Sequence, residues 1–314
     1  MGRILSSVRL KEDMLNTLKA DFPRWDFKYV SRKDMTDADR EEAEVYVTYG
    51  GDITSQDVLA FKKLKWLMVM SAGVDDVPLN ELKHVPVTNA TGIHRIQMTE
   101  YTLGLLLNHY KNFTQLNKDQ ENKFWRKNAK TEEIYGKEVH ILGTGSIGTR
   151  LAEVFNVLGL KTAGYNTNGR EVAPFQETYP LSNLKETIHQ ADILINILPG
   201  TKETEYLLTA GHFKKMKDTS VFINIGRGNI MSDEEIIEVL RNQYISHMIL
   251  DVFNTEPLPE DHPFYQLGNI TITPHASSKT DQYLERAFSI FTENLKALDE
   301  GAEMINQVSH DKGY

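Results

Sequence analysis

A turn of three glycines set between a strand and a helix is the tightest constraint in this sequence. Residues 137–166 read KEVHILGTGSIGTRLAEVFNVLGLKTAGYN. The apolar run Val139 to Leu142 ends at Gly143-Thr144-Gly145-Ser146-Ile147-Gly148. Leu151, Val154, Phe155 and Leu158 then recur at helical spacing, and a second short run follows from Thr162 to Tyr165. Strand, glycine turn, helix and strand thus fit into about 30 residues. Gly143 permits the tight turn, Gly145 lets the backbone approach a pyrophosphate, and Gly148 lets helix and strand pack closely. The free N–H groups that open the helix, those of Ser146 and Ile147 among them, face the anion. The setting predicts a dinucleotide site, where a bare GxGxxG reads equally as a structural turn.

The rest of the composition narrows the class. With 314 residues, 40% hydrophobic and 25% charged, the chain is long enough for two domains with real cores. Cysteine is absent, which removes disulfides, thiolate zinc sites and cysteine nucleophiles and suits a reducing compartment. A net charge of -9 opposes nucleic acid or an anionic membrane as the main partner. No run approaches the ~18 apolar residues of a spanning helix, and the N-terminus lacks the apolar core of a signal peptide. The expected location is cytoplasmic.

Apolar runs at Ile4-Leu5, Glu44 to Thr48, Trp66 to Met70 and Pro86 to Thr88, with helical patterns around Arg9 to Ala20 and Ser55 to Lys63, predict a small α/β domain. Ser71-Ala72-Gly73-Val74-Asp75 follows a strand directly, where open parallel sheets bind ligands. It reads equally as a plain glycine turn. After Thr91-Gly92 a long helix is predicted, with Ile96, Thr99, Leu103, Leu106 and Leu107 on one face, bridging two lobes. Asn117 to Thr131 reads as a polar surface segment. Later strands are predicted at Ile193 to Ile197, Val221 to Asn224, Met248 to Asp251 and Ile270 to Thr273. Ser232 and Glu235 form a capping box before the helix that contains Ile236 and Val239.

Three of these strands end in residues that suit proton transfer. Arg227 stands between two glycines in Ile225-Gly226-Arg227-Gly228, Glu256 follows the third of the later strands, and His275 follows the last. An arginine so placed can grip a carboxylate bidentately, although taken alone it reads first as a surface ion pair. Histidine can act as acid and base, with a carboxylate favouring its charged form. The other histidines show no metal-ligand spacing, so no metal site is expected. No Walker lysine follows the glycines and no Gly-x-Ser-x-Gly elbow is present.

The chain resembles the D-isomer-specific 2-hydroxyacid dehydrogenases. The likeness runs through SAGVD, TEYTLGLLL, GTGSIG, ILPGTKETEYLL, MKDTSVFINIGRGNIMSDEEIIEVL and LDVFNTEPLPEDHPFYQLGNITITPH, in that order over most of the chain. The resemblance implies an α/β protein of two Rossmann- or flavodoxin-like, doubly wound parallel-sheet domains with an active-site cleft between them. A nucleotide domain, residues 96–276, is inserted in a substrate domain of residues 1–95 and 277–314. It further implies His275 as acid/base, Glu256 as its partner, and Arg227 as the residue that orients a 2-oxo acid. Backbone N–H groups of Ala72, Gly73 and Val74 would hold the substrate carboxylate. Leu198, Pro199 and Asp251 would line the cofactor, Asp251 facing the nicotinamide amide. A homodimer through the nucleotide domain is also implied.

Departures from the family pattern bear on specificity. Where an acidic residue often binds the adenosine ribose, Tyr165 is followed by Asn166, Thr167, Asn168, Gly169 and Arg170. Uncharged Asn166 does not repel a 2′-phosphate and Arg170 can pair with one, so the NAD(P)(H) cofactor is expected to be NADP(H). In the opposing reading Asn166 bonds the ribose of NAD and Arg170 points into water. His140 stands where the family favours a small residue, with local repacking as the expected consequence. His94 and Arg95 could serve a second anionic group on the substrate, or form a solvated surface. The chain stops at Tyr314 without an added regulatory domain, which argues against feedback control. Enzyme relatives include glyoxylate, hydroxypyruvate and phosphoglycerate dehydrogenases. The scaffold also serves nucleotide-sensing binding proteins of the C-terminal-binding-protein type, so turnover separates the two classes.

Overall fold

The computed structural model describes residues 1–74 and 76–310 and divides into two compact units, Met1–His94 with Thr280–Tyr314, and Arg95–Lys279. Asp75 and residues 311–314 lie outside the described residues. Among the described residues no helix is long and apolar enough to cross a membrane.

The first unit is built on five parallel strands, β1 (Gly2–Ser6), β2 (Trp25–Tyr29), β3 (Val45–Thr48), β4 (Trp66–Val69) and β5 (Val87–Asn89), in the order β2-β1-β3-β4-β5. β3 and β4 are buried along their whole length, as continuous apolar runs in a sheet covered on both faces should be. Alternate residues serve the two faces. Ile4, Val45, Val47, Trp66 and Met68 pack with Ala287, Phe291 and Leu295 of the helix Tyr283–Glu300. Leu5, Tyr46, Leu67 and Val69 pack the other way, with Ile53 and Val77. Trp66 stacks on Phe291 at 5.5 Å and 18°. The helices α1 (Glu12–Asp21), α2 (Asp37–Glu42) and α3 (Ser55–Ala60) connect the strands, α2 and α3 each opened by a reciprocal Thr–Asp capping box. Neither β2 nor α2 is evident in the sequence. β2 is an edge strand without a fully buried residue, and α2 is the all-polar DADREE, so both lack an apolar stripe.

In the second unit α4 (Arg95–Lys111) and α5 (Phe113–Glu121) precede β6 (Glu138–Leu142), α6 (Ser146–Val157) and β7 (Lys161–Asn166). β8 (Glu177–Pro180), α7 (Leu184–Thr187), β9 (Ile193–Asn196), α8 (Ala210–Phe213), β10 (Val221–Asn224), α9 (Asp233–Arg241), β11 (His247–Leu250) and β12 (Ile270–Ile272) complete it. The seven strands run parallel in the order β12-β11-β10-β9-β6-β7-β8. The order reverses between β6 and β9, and such a switch point opens a crevice at the strand carboxyl ends. β6 delivers the glycine turn there.

Three local expectations need correction. On α4, Thr99 and Leu106 are buried and Leu103 and Leu107 pack on the core as expected, but the inward residues also include Met98, Thr102 and Tyr110, and Ile96 turns outward. The segment expected as surface from Asn117 begins inside α5, whose partly buried Asp119 holds Arg126. Ser232 accepts from Glu235 N–H, but the Glu235 carboxylate goes to the Ala210 N–H that opens α8, so the capping box is half made.

Two stability predictions follow from this packing. Phe291→Ala should remove about 3–5 kcal/mol from the unfolding free energy of the first unit, read by urea titration. In the second unit His109 and His247 pack ring on ring at 4.6 Å. Burial lowers both, and burial together with the neighbouring His109 takes His247 to about 4. A folded value below the unfolded one, near 6.5, means that the unfolded chain binds the extra proton. Stability is therefore lost as pH falls from about 6.5 toward 4. His247→Gln should flatten the fall in melting temperature across that window relative to the unsubstituted protein.

Candidate active site

The glycine turn has the shape its spacing demands. Gly143 sits at φ +114 and donates its N–H to Tyr165 C=O at 2.9 Å, and a Cβ at Gly148 would lie 2.0 Å from the Gly143 oxygen. Gly145 is exposed, and a Cβ there would meet nothing within 4 Å. The first bond into α6 is Thr149 N–H to Gly145 C=O, which leaves the N–H groups of Ser146, Ile147 and Gly148 without helical partners. Open space above unpartnered donors at a helix N-terminus fits a pyrophosphate.

At the end of β7 the Asn166 amide is committed to its own loop. Its oxygen accepts from Asn168 N–H at 3.3 Å and Arg170 N–H at 3.1 Å, and its nitrogen donates to Arg170 C=O at 2.8 Å. Asn166 thus shapes the turn that presents Arg170. Thr167 and Arg170 are exposed, and Arg170 forms no ion pair among the described residues. His140 does more than repack. Fully buried, it lies 2.7 Å from the Tyr165 hydroxyl and 3.1 Å from Glu138, and that hydroxyl reaches Thr187 at 2.6 Å. Burial lowers His140 despite Glu138.

Beyond β9 and β10 two buried asparagines, absent from the sequence reading, knit the loops together. Asn196 donates to the Asn224 side chain at 2.9 Å and accepts from Leu198 N–H at 3.2 Å, while Asn224 donates to Arg227 C=O at 3.0 Å. Their only sequence signal is an amide closing an apolar strand. Leu198 is half-buried and Pro199 exposed in the loop so held. The Arg227 side chain is exposed, donates to Gly226 C=O at 2.9 Å and makes no ion pair among the described residues, so the surface-pair reading fails. Gly228 is pressed against the next loop, with a Cβ there 2.0 Å from Phe253 C.

That next loop carries Glu256, and β12 leads to His275. His275 Nδ1 lies 2.7 Å from Glu256 Oε2, and Glu256 Oε1 accepts from Phe253 N–H at 2.9 Å. A carboxylate bonded to Nδ1 fixes the ring and leaves Nε2 for chemistry. The His275 side chain is 46% exposed, so that nitrogen is not sealed in the core. His275 adopts φ +47, a left-handed conformation that costs a β-carbon-bearing residue energy and tends to mark functional sites. Asp251 holds it there. The Asp251 carboxylate is fully buried and accepts from Thr273 Oγ1 at 2.6 Å, Ala276 N–H at 2.9 Å and Ser277 N–H at 2.9 Å. Its carbonyl accepts from His275 N–H at 2.9 Å. The sequence reading set Asp251 against the cofactor and did not foresee this internal role.

In the first unit the loop after β4 is tied by its carbonyls. Asn89 Nδ2 donates to Ala72 C=O at 2.7 Å, and the Ser71 hydroxyl lies 2.8 Å from Gly73 C=O. The N–H groups of Ala72, Gly73 and Val74 have no acceptor among the described residues, while Asp75 of the same motif is outside them. His94 is not solvated surface, since its half-buried ring packs on Tyr283 at 5.5 Å. Arg95, in the second unit, is exposed.

Comparison with known proteins identifies the family. Residues 103–277, over half the chain, match the NAD binding domain of the D-isomer specific 2-hydroxyacid dehydrogenases. The crystal structure of a D-isomer specific 2-hydroxyacid dehydrogenase family protein from Aeromonas salmonicida superposes with a TM-score of 0.86 at 29% identity, covering 99% of each chain. A glyoxylate reductase of Thermofilum pendens is 28% identical over 86% of this chain and 82% of its own length. A D-3-phosphoglycerate dehydrogenase of Methanocaldococcus jannaschii is also 28% identical, over 86% of this chain, which spans about half (52%) of that relative. The chain belongs to the D-isomer specific 2-hydroxyacid dehydrogenase family and is an oxidoreductase acting on a CH–OH group with NAD(P).

Proposed function

We propose that the chain reduces a small 2-oxo acid to the D-2-hydroxy acid with NADPH, through residues 95–279 as nucleotide unit and the remainder as substrate unit. The observation that carries this reading is the 2.7 Å pairing of His275 Nδ1 with Glu256 on the left-handed turn after β12. The N–H groups of Ser146 and Ile147, above Gly143, Gly145 and Gly148, bind the pyrophosphate, with Leu198 and Pro199 lining the nicotinamide side and buried Asp251 holding the His275 turn behind it. When bound, the reduced nicotinamide supplies the hydride for C2 of the substrate. The N–H groups of Ala72, Gly73 and Val74 hold the substrate carboxylate. Arg227, whose guanidinium has no carboxylate partner among the described residues, orients the 2-oxo group and stabilises the negative charge that develops on its oxygen. Protonated His275 donates from Nε2 to that oxygen, while Glu256 stabilises the imidazolium before the transfer. The name of the Thermofilum relative, a glyoxylate reductase, supports a small substrate.

NADPH is favoured because the loop that Asn166 shapes and that contains Thr167 presents an exposed Arg170, without an ion pair among the described residues, and no acidic residue ends β7. We also assign a homodimer formed by the nucleotide unit. Its support is Trp125, 90% exposed beside Phe124, itself 55% exposed, an apolar pair too large to leave in water without a reason.

Steady-state oxidation of NADPH and NADH against glyoxylate, hydroxypyruvate, pyruvate, 2-oxoisocaproate and phosphohydroxypyruvate tests the whole reading. NADPH should lead in kcat/KM by about tenfold, and Arg170→Ala should erase most of that lead. An NADH preference would discard the cofactor assignment, and tight cofactor binding without turnover would discard the reaction. His275→Gln should lower kcat by about 10²- to 10⁴-fold with cofactor affinity retained; full activity would refute its role. Light scattering should give a dimer that Trp125→Glu converts to monomer.

A further inference from the structure

The loop that carries Glu256 is held at both ends by one carboxylate. Asn254 Nδ2 donates to Asp233 Oδ1 at 2.8 Å, and His262 Nε2 lies 3.2 Å from Asp233 Oδ2. Glu256 stands between these two anchors. Both are themselves fixed. Asn254 Nδ2 also donates to Met231 C=O at 3.0 Å, and the His262 ring packs edge-on against buried Phe264 at 4.3 Å. Phe264 N–H approaches His262 Nδ1 at 3.4 Å, which makes Nδ1 the acceptor and leaves Nε2–H to donate to Asp233.

Asp233 opens α9, and the segment immediately before it descends from Arg227 through the 3-10 turn Gly228–Ile230. The same carboxylate therefore fastens the Glu256 loop to the segment that presents Arg227. The fastening is close, because Gly228 already touches the Phe253 backbone and has no room for a side chain. Phe253 N–H is in turn the donor that sets Glu256 Oε1 at 2.9 Å and leaves Oε2 for His275. A displacement at Asn254 passes to Phe253, then to Glu256, then to the imidazole.

We propose that Asp233 is a positioning residue: by clamping Asn254 and His262 it sets the Glu256 carboxylate against His275 and keeps that pair in register with Arg227. It touches neither substrate nor cofactor. The inference rests on Glu256 and His275 acting as assigned above, and the test separates the two claims.

The measurement is the pH profile of kcat/KM for reduction by the full chain, from about pH 5 to 10, for the unsubstituted protein, Glu256→Gln, Asp233→Ala and the double variant. Reduction uses the protonated imidazole, so activity falls on the alkaline side. Loss of the carboxylate partner should bring that fall to lower pH. Asp233→Ala should shift the limb in the same direction as Glu256→Gln and lower kcat by about ten- to a hundredfold. In the Glu256→Gln background it should add no further shift, since the group it acts through is gone. A merely structural role would lower the melting temperature and leave the alkaline limb in place, and that result overturns the proposal, as would shifts that add in full. Glu256→Gln with an unmoved limb would instead refute the assignment of Glu256 and the clamp with it. Asn254→Ala cuts one arm and leaves α9 its N-terminal carboxylate. If Asp233→Ala does not fold, the limb of Asn254→Ala decides by the same criterion.

Discussion

A buried carboxylate with all its demands met is what the second unit's chemistry hangs on. Asp251 is removed from water at the end of β11 and is offset by one hydroxyl and two backbone N–H groups from the stretch after β12. A charge so placed is tolerable only when fully bonded. Its donors can reach it only if the chain turns sharply at residues 273–277. That turn forces His275 into the left-handed region, where a histidine would not settle unaided. Strain at one residue is thus offset by satisfaction at another, and the ring comes to rest against Glu256 instead of folding back onto the sheet.

Around this centre, amide side chains perform the task that hydrophobic packing performs in the strands. Parallel sheets leave their loops together at the carboxyl ends, but apolar burial cannot define a loop to within half an ångström. Asn166 and Asn224 do so with pairs of bonds to backbone groups, Asn196 and Asn254 with one bond to backbone and one to a side chain. Each has a donor and an acceptor side by side, so it can mimic a missing strand neighbour. The result is a set of loops with little freedom to spread, on which an exposed arginine and an exposed histidine can still be held in place.

How much of this was legible in the sequence depends on which physical signal each part carries. The glycine turn and the buried strands were readable because sterics and continuous apolar runs leave a mark in residue type. β2, α2 and β8 were not, because an edge strand and a polar connecting helix need no apolar pattern. Ile96 was set on the wrong face of α4 because apolar residues line more than one of its sides. Arg227, Glu256 and His275 could be listed as strand-end residues and the family resemblance pairs the last two, yet nothing in residue type tells that the Arg227 guanidinium turns to its neighbour's carbonyl and not to a carboxylate. Asp251, Asn196 and Asp233 were illegible in their structural roles. A carboxylate that bonds its own backbone looks the same in sequence as one that meets a ligand.

The contact between Trp66 and Phe291 has a consequence for how the chain is made. The first sheet is synthesised early, but the helix that covers one of its faces emerges only after the whole of residues 95–279. At ordinary translation rates that gap is roughly ten to forty seconds. The nascent first unit therefore waits with the face of Ile4, Val45, Val47 and Met68 covered only in part, by Met14 and Leu18 of α1, while the second unit has every strand it needs and can close first. Over that interval the apolar face of the half-built sheet is the part of the chain most open to association with other unfinished chains.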